Sequence, residues 1–115
     1  MRLRRGAALW LPDAGAAKLT MAGANPHGSF DLSFTAKSKT PYRLWIRGRA
    51  QCEYWGNDSV FVQFSGSVTS TGAPIYRVGT TDATVVNLDD CSGCGISGWG
   101  WQDNGWRVGV LGPLV

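Results

Sequence analysis

Histidine, methionine and charge are scarce in this chain. Its 115 residues hold one histidine and two methionines, and charged side chains make up 17%. The single histidine, His27, sits in the turn-like Asn25-Pro26-His27-Gly28. There is no Gly-x-Ser-x-Gly nucleophile elbow and no phosphate-binding glycine loop. No apolar run approaches the roughly 20 residues a membrane helix requires. An excess of one charge sign is missing as well. The formal net charge is +3, and Arg2, Arg4 and Arg5 account for all of it. Beyond them, eight Lys and Arg face eight Asp and Glu. A nucleic-acid binder would show a basic face, and a neutral body argues against that class.

Sixteen glycines and five prolines exclude a helix bundle, while 43% hydrophobic content is enough to bury one domain core. Only Ala14–Leu19 could hold a helical turn, and Gly15 weakens it. Strand signals dominate. From Ser29 to Lys37, Phe30, Leu32, Phe34 and Ala36 fall on one face, and Asp31, Ser33, Thr35 and Lys37 on the other. Such period-two alternation marks a half-buried strand. A second strand is expected over Tyr42–Gln51, with Trp45 sharing a face with Arg43, Arg47 and Arg49. A third follows Gly56-Asn57-Asp58 and runs from Ser59 to Ser65. Weaker strands are expected at Lys18–Ala22, Ile75–Val78, Thr84–Leu88 and Trp106–Leu111. About seven short strands between turn signals predict an all-β fold, an antiparallel β-sandwich or jelly roll. Residues 14–115 are read as that single domain, behind an arm over residues 1–13. The arm has the outline of a secretion leader, but Pro12-Asp13 ends its apolar run after six residues, where about 7–15 are expected.

The three cysteines are Cys52, Cys91 and Cys94. Cys91-Ser92-Gly93-Cys94 has the C-x-x-C spacing of a redox motif, half a zinc site or a small disulfide loop. A redox motif needs a helix after its first cysteine, and glycines follow here. Zinc needs four ligands, and Cys52, Cys91, Cys94 and His27 form one such set. The plainest reading is a Cys91–Cys94 disulfide pinning a glycine-rich loop, with Cys52 buried as a small apolar residue. That reading fits an oxidising compartment, extracellular or periplasmic.

Six tryptophans are the most unusual content, and three of them fall within Trp99–Trp106. On an extended backbone Trp99 and Trp101 point to one side, and the flanking glycines leave their rings open. Gln102, Asp103 and Asn104 set amide and carboxylate groups beside them. A sugar ring offers an apolar C–H face, which an indole stacks against, and a rim of hydroxyls for planar polar groups. Trp101 is the candidate platform, with Asp103, Asn104 and Gln102 as polar partners and Trp99 beside them. Trp99 and Trp106 also suit the core between two sheets. Trp45 is a second candidate, or else the base of a cation–π ladder with Arg43, Arg47 and Arg49. Trp55, before Gly56-Asn57-Asp58, suits a site wall, and Asp58 a polar contact there or a turn stabiliser.

Pro41-Tyr42-Arg43-Leu44-Trp45-Ile46-Arg47-Gly48-Arg49-Ala50, then Asn57–Val62, then Gly98-Trp99-Gly100-Trp101 resemble carbohydrate-binding modules of the family 6/35 kind, which are galactose-binding-like jelly rolls. The likeness spans roughly residues 14–111. It implies glycan binding at loops on one end of the sandwich, with Trp101 at the place of the family's late site tryptophan. The spacing here is Trp-x-Trp, one residue shorter than the family's. The family continues into a closing hairpin that supplies a polar site residue and often a ligand for a structural calcium; the sequence stops at Val115 before such a segment, so a truncated piece or a sandwich that closes differently is expected. Asp13, Asp31 and Glu53 are candidate oxygen donors for calcium. Without that hairpin an open sheet edge is expected, to be covered by a second copy or a parent enzyme domain.

A glycosidase needs two carboxylates about 5–10 Å apart. Asp58, Asp89, Asp90 and Asp103 offer possible pairs, and Asp89-Asp90 reads more simply as a solvated turn. The expected function is therefore a non-catalytic module binding an oligo- or polysaccharide, without a cofactor. The alternative is a structural or protein-interaction β-sandwich.

Overall fold

The computed structural model describes residues 7–24, 28–88, 98–105 and 109–110. Among them the fold is all-β, with no α-helix. Six short strands form three antiparallel pairs. β1 (Ile46–Gly48) pairs with β4 (Gly100–Gln102), β2 (Ser59–Val62) with β3 (Thr84–Asn87), and β5 (Asn104–Gly105) with β6 (Gly109–Val110). Two 3-10 turns, Gln51–Glu53 and Trp55–Asn57, link β1 to β2.

The β2/β3 pair forms where β-branched residues concentrate. Val60 stands opposite Val86 and Phe61 opposite Val85. Val86 is wholly buried, and with Ala22 and Ala50 it makes up the buried apolar core among the described residues. The segment between β2 and β3 is held by bridges and side-chain caps rather than by further strands. Phe64 bridges Arg77, and Val68 bridges Pro74. The Arg77 guanidinium donates to the carbonyls of Ser65 and Ser67 at 2.9 and 2.7 Å. Gln63 donates to those of Thr80 and Asp82 at 2.8 and 2.7 Å. β3 in turn packs beside β5.

The residues before β1 are tied down by polar contacts. Asp13 N donates to Gln51 Oε1 at 2.8 Å. The Asp13 carboxylate takes Lys18 at 3.1 Å and the Asn57 amide at 3.2 Å, and Lys18 also donates to Asn57 Oδ1 at 2.5 Å. The Gly15 amide, then Lys18 and Asn57, hold the Asp13 carboxyl below its ordinary range.

Several expected elements are shorter or absent. The strand expected over Tyr42–Gln51 is regular only at Ile46–Gly48, and soon after it the chain turns, with Cys52 and Glu53 in left-handed backbone at φ 59° and 51°. The expected Ile75–Val78 strand is reduced to isolated bridges, and neither Lys18–Ala22 nor Ala14–Leu19 is regular. Ser29–Lys37 is the largest departure. It carries no strand pairing, and Phe30, Leu32 and Phe34 are 59, 54 and 67% exposed. Alternation assigns residues to faces, but a strand also needs a neighbouring edge. No described segment supplies one here. Cys52, expected in the interior, is exposed in the 3-10 turn after β1, where its backbone is left-handed.

Candidate functional site

The β1/β4 pair carries the tryptophans. Its register sets Ile46 opposite Gln102, Arg47 opposite Trp101, and Gly48 opposite Gly100. Cross-strand partners share a face, and side chains two apart on one strand do too. Arg47 and Trp101 therefore share a face; Trp99, in the bend just before β4, meets Arg47 beside it, and exposed Trp45 immediately precedes β1. Burial follows the same alternation. Trp45, Trp99 and Trp101 are 50, 49 and 58% exposed, while Gly48 and Gln102 are buried on the other side. Leu88 packs over Gly48: a Cβ at that position would lie 2.5 Å from Leu88 Cδ2, so Leu88 would have to shift.

Arginines sit on two of these indoles. Arg43 Cζ lies 5.3 Å from the Trp45 ring centroid, and Arg47 Cζ lies 5.3 Å from that of Trp99. The expected ladder over Trp45 is thus divided between two rings. The three guanidiniums also differ in their acidic partners. Arg43 Nε donates to Asp103 Oδ2 at 2.5 Å, and its terminal nitrogen approaches the same oxygen. Arg49 Nε pairs with Glu53 Oε1 at 3.2 Å. Arg47 has no acidic partner among the described residues. Glu53 also accepts from Gly98 N at 2.9 Å through each carboxylate oxygen, and so anchors the chain entering β4.

No family model, no curated protein and no solved structure matches the chain.

The other candidate residues distribute as follows. Asp103 is buried and turned to Arg43, and Gln102 is buried on the far side of the pair, with no partner for its Nε2 among the described residues. Neither stands beside the Trp101 ring as a free polar group. Asn104 places its backbone in β5, opposite Val110. Trp55, 72% exposed, lies in the second 3-10 turn against the Tyr54 ring, and no described contact joins it to the β1/β4 face. Asp58 follows that turn, and its carbonyl accepts from Leu88 N, which ties the turn to the end of β3. Cys91, Cys94, His27, Asp89, Asp90 and Trp106 lie outside the described residues.

For a cation, Asp13 is engaged by Lys18 and Asn57, and Glu53 by Arg49 and Gly98. No three acidic, histidine or cysteine side chains converge among the described residues. Sequence reasoning found the tryptophans but missed the distinct position of Arg47. The signal was the two-residue spacing of Trp45, Arg47 and Arg49, which holds no information on which ring or acid each arginine meets across the sheet.

Proposed function

We propose that the chain is a non-catalytic glycan-binding module of jelly-roll architecture, similar to carbohydrate-binding modules of the family 6/35 kind. The observation carrying this reading is the exposure of Trp45, Trp99 and Trp101 together around the β1/β4 pair. Three half-exposed indoles around one small sheet form an apolar surface that water solvates poorly and the C–H face of a pyranose covers well. The arginines beside them supply N–H donors for ring hydroxyls. Trp101 is the stacking platform in this reading, and Trp45 and Trp99 lie beside it under Arg43 and Arg47. Binding of a polysaccharide places such a module outside the cell or in the periplasm, next to a parent enzyme domain.

Affinity electrophoresis tests it. The wild type and Trp101→Ala are run through gels cast with neutral and acidic polysaccharides. Retardation of the wild type by at least one polymer, relieved in the variant, is the expected outcome. If no polymer retards either protein while circular dichroism shows both folded, the reading fails.

A second reading is a protein-interaction β-sandwich, favoured by the exposed Phe30, Leu32 and Phe34, which lie outside the described strands. Sedimentation of the wild type against Phe34→Lys distinguishes it: an oligomer that dissociates in the variant supports this second reading.

A further inference from the structure

Ser29–Lys37 runs without helix, turn or bend, and none of its residues has left-handed backbone. The whole run is exposed, Phe30, Leu32 and Phe34 by more than half. Among the described residues, no hydrogen bond reaches the main chain of Phe30–Ala36. A run of open N–H and C=O groups with one apolar side has everything a strand needs except a neighbour. At its end the Lys37 amide donates to the Tyr42 hydroxyl at 2.8 Å, and the Tyr42 ring meets Phe34 edge-on, with 6.3 Å between centroids. The polar positions of the alternation carry the run's two charges, Asp31 and Lys37. Neither forms an ion pair among the described residues. They stand three residues before and three residues after Phe34.

We propose that this segment pairs antiparallel with the same segment of a second copy of the chain, about a two-fold axis at Phe34. The proposal rests on the protein-interaction reading above, for which it names the partner, and is independent of glycan binding. Two observations favour a second copy over an unrelated strand. The first is that the segment is its own complement. Centred on Phe34, the pairing sets Phe34 opposite Phe34, Leu32 opposite Ala36, Ser33 opposite Thr35 and Asp31 opposite Lys37. Two-fold symmetry makes the Asp31–Lys37 pair twice. No other antiparallel self-pairing of Ser29–Lys37 sets its two charges opposite each other, and this one also keeps apolar against apolar. The second is the Lys37 amide, already engaged by Tyr42. In an antiparallel ladder, alternate residues aim their N–H groups away from the partner strand. With Phe34 in a hydrogen-bonded pair, Leu32 and Ala36 are hydrogen-bonded too. Lys37 then falls among the residues that aim away, and its bond to Tyr42 is kept. Lys37 and Asp31 form a non-hydrogen-bonded pair, the kind in which side chains approach most closely. A two-fold contact uses the same edge of both copies, so the assembly closes as a dimer.

The test is sedimentation velocity of the whole chain over a concentration series, with a thiol reductant present to exclude disulfide-linked species. The wild type is expected to form a concentration-dependent dimer. Asp31→Lys and Lys37→Asp are each expected to raise its dissociation constant about tenfold, since each sets like charges opposite one another twice. The combined Asp31→Lys/Lys37→Asp variant restores opposite charges in the same register, and is expected to return to within about threefold of the wild type. The two single changes move the net charge in opposite directions, so a response to overall charge alone would weaken one dimer and strengthen the other. Circular dichroism checks that each variant folds. Should a charge reversal unfold the chain, Asp31→Asn and Lys37→Gln remove the pair without repulsion, and each is expected to weaken the dimer about threefold. An oligomer that Phe34→Lys dissociates but that ignores the charge variants, or that the combined variant fails to restore, overturns this inference and leaves the protein-interaction reading standing. Association that continues beyond a dimer overturns the two-fold pairing. A wild type that stays monomeric throughout the series overturns this inference and the second reading together.

Discussion

The Arg43–Asp103 pair is unevenly solvated, and that asymmetry predicts which partner is more damaging to remove. The Asp103 side chain is 10% exposed, whereas that of Arg43 is 47% exposed. Replacing Arg43 by Gln leaves a desolvated carboxylate without its cation. Orphaning one member of a fully buried pair costs about 3–5 kcal/mol. Because half of Arg43 is already in water, about 2–3 kcal/mol is expected here. Replacing Asp103 by Asn removes the buried charge instead. The amide oxygen still accepts from Arg43, whose charge is already half in water, so about 1 kcal/mol is expected. Arg43 also stacks on Trp45, and Arg43→Gln loses that contact whether or not Asp103 is present. The double variant separates the two effects. With both charges gone it should be more stable than Arg43→Gln alone, leaving a clear coupling energy in the cycle. Urea unfolding followed by tryptophan fluorescence and far-ultraviolet circular dichroism reads all four proteins. With a slope of about 1–3 kcal/mol/M, the two single variants should differ by about 1 M in midpoint. Equal midpoints, a less stable Asp103→Asn, or strict additivity would refute the assignment of Asp103 as the desolvated partner.

Thr84 is buried, and its hydroxyl has no partner among the described residues; Thr84→Val should stabilise the protein by about 1 kcal/mol in the same urea assay. The Asp13 carboxyl titrates below its ordinary 3.8. Its contacts with Gly15, Lys18 and Asn57 therefore favour the fold above pH ~4 and are lost as pH falls through the lowered value. Carboxyl chemical shifts of Asp13 followed by NMR should show a midpoint below that of Asp13 in Lys18→Ala; identical midpoints would sink this account. Leu32→Ser should shift the stability of the monomer by less than about 0.5 kcal/mol, since Leu32 is exposed outside the described strands. A loss of about 2 kcal/mol or more would mean that Leu32 is packed within the chain.

What the sequence revealed was local. β2 and β3 were legible because Ser59–Val62 and Thr84–Asn87 are rich in β-branched residues, with Asn57-Asp58 as a turn before the first. The grouping of Trp99 with Trp101, and of Trp45 with Arg47, followed from period two alone. Which strand meets which is a long-range property. Nothing near Arg47 shows that Trp101 stands across from it, or that Asp103 takes Arg43 while Arg47 covers Trp99. Ser29–Lys37 illustrates the same limit from the other side. Its alternation is as regular as any in the chain, yet it joins no described strand, because face and strand neighbour are separate pieces of information. Cys52 was misplaced for a different reason. A left-handed turn of non-glycine residues overrode the apolar preference of the thiol.

The separation of β1 from β4 along the chain bears on the order of folding. β2 and β3 close a loop of about 20 residues, whereas β1 and β4 close one of about 50 that contains the whole β2/β3 unit. Logarithmic scaling makes the longer closure about 0.8 kcal/mol less favourable, and it gains little until the inner pair has shortened the path. The tryptophan face is therefore expected to assemble late, after the inner pair. A ligand held across both strands would then act as a staple between distant parts of the sequence. It would slow unfolding by retaining the contact that forms last and opens first.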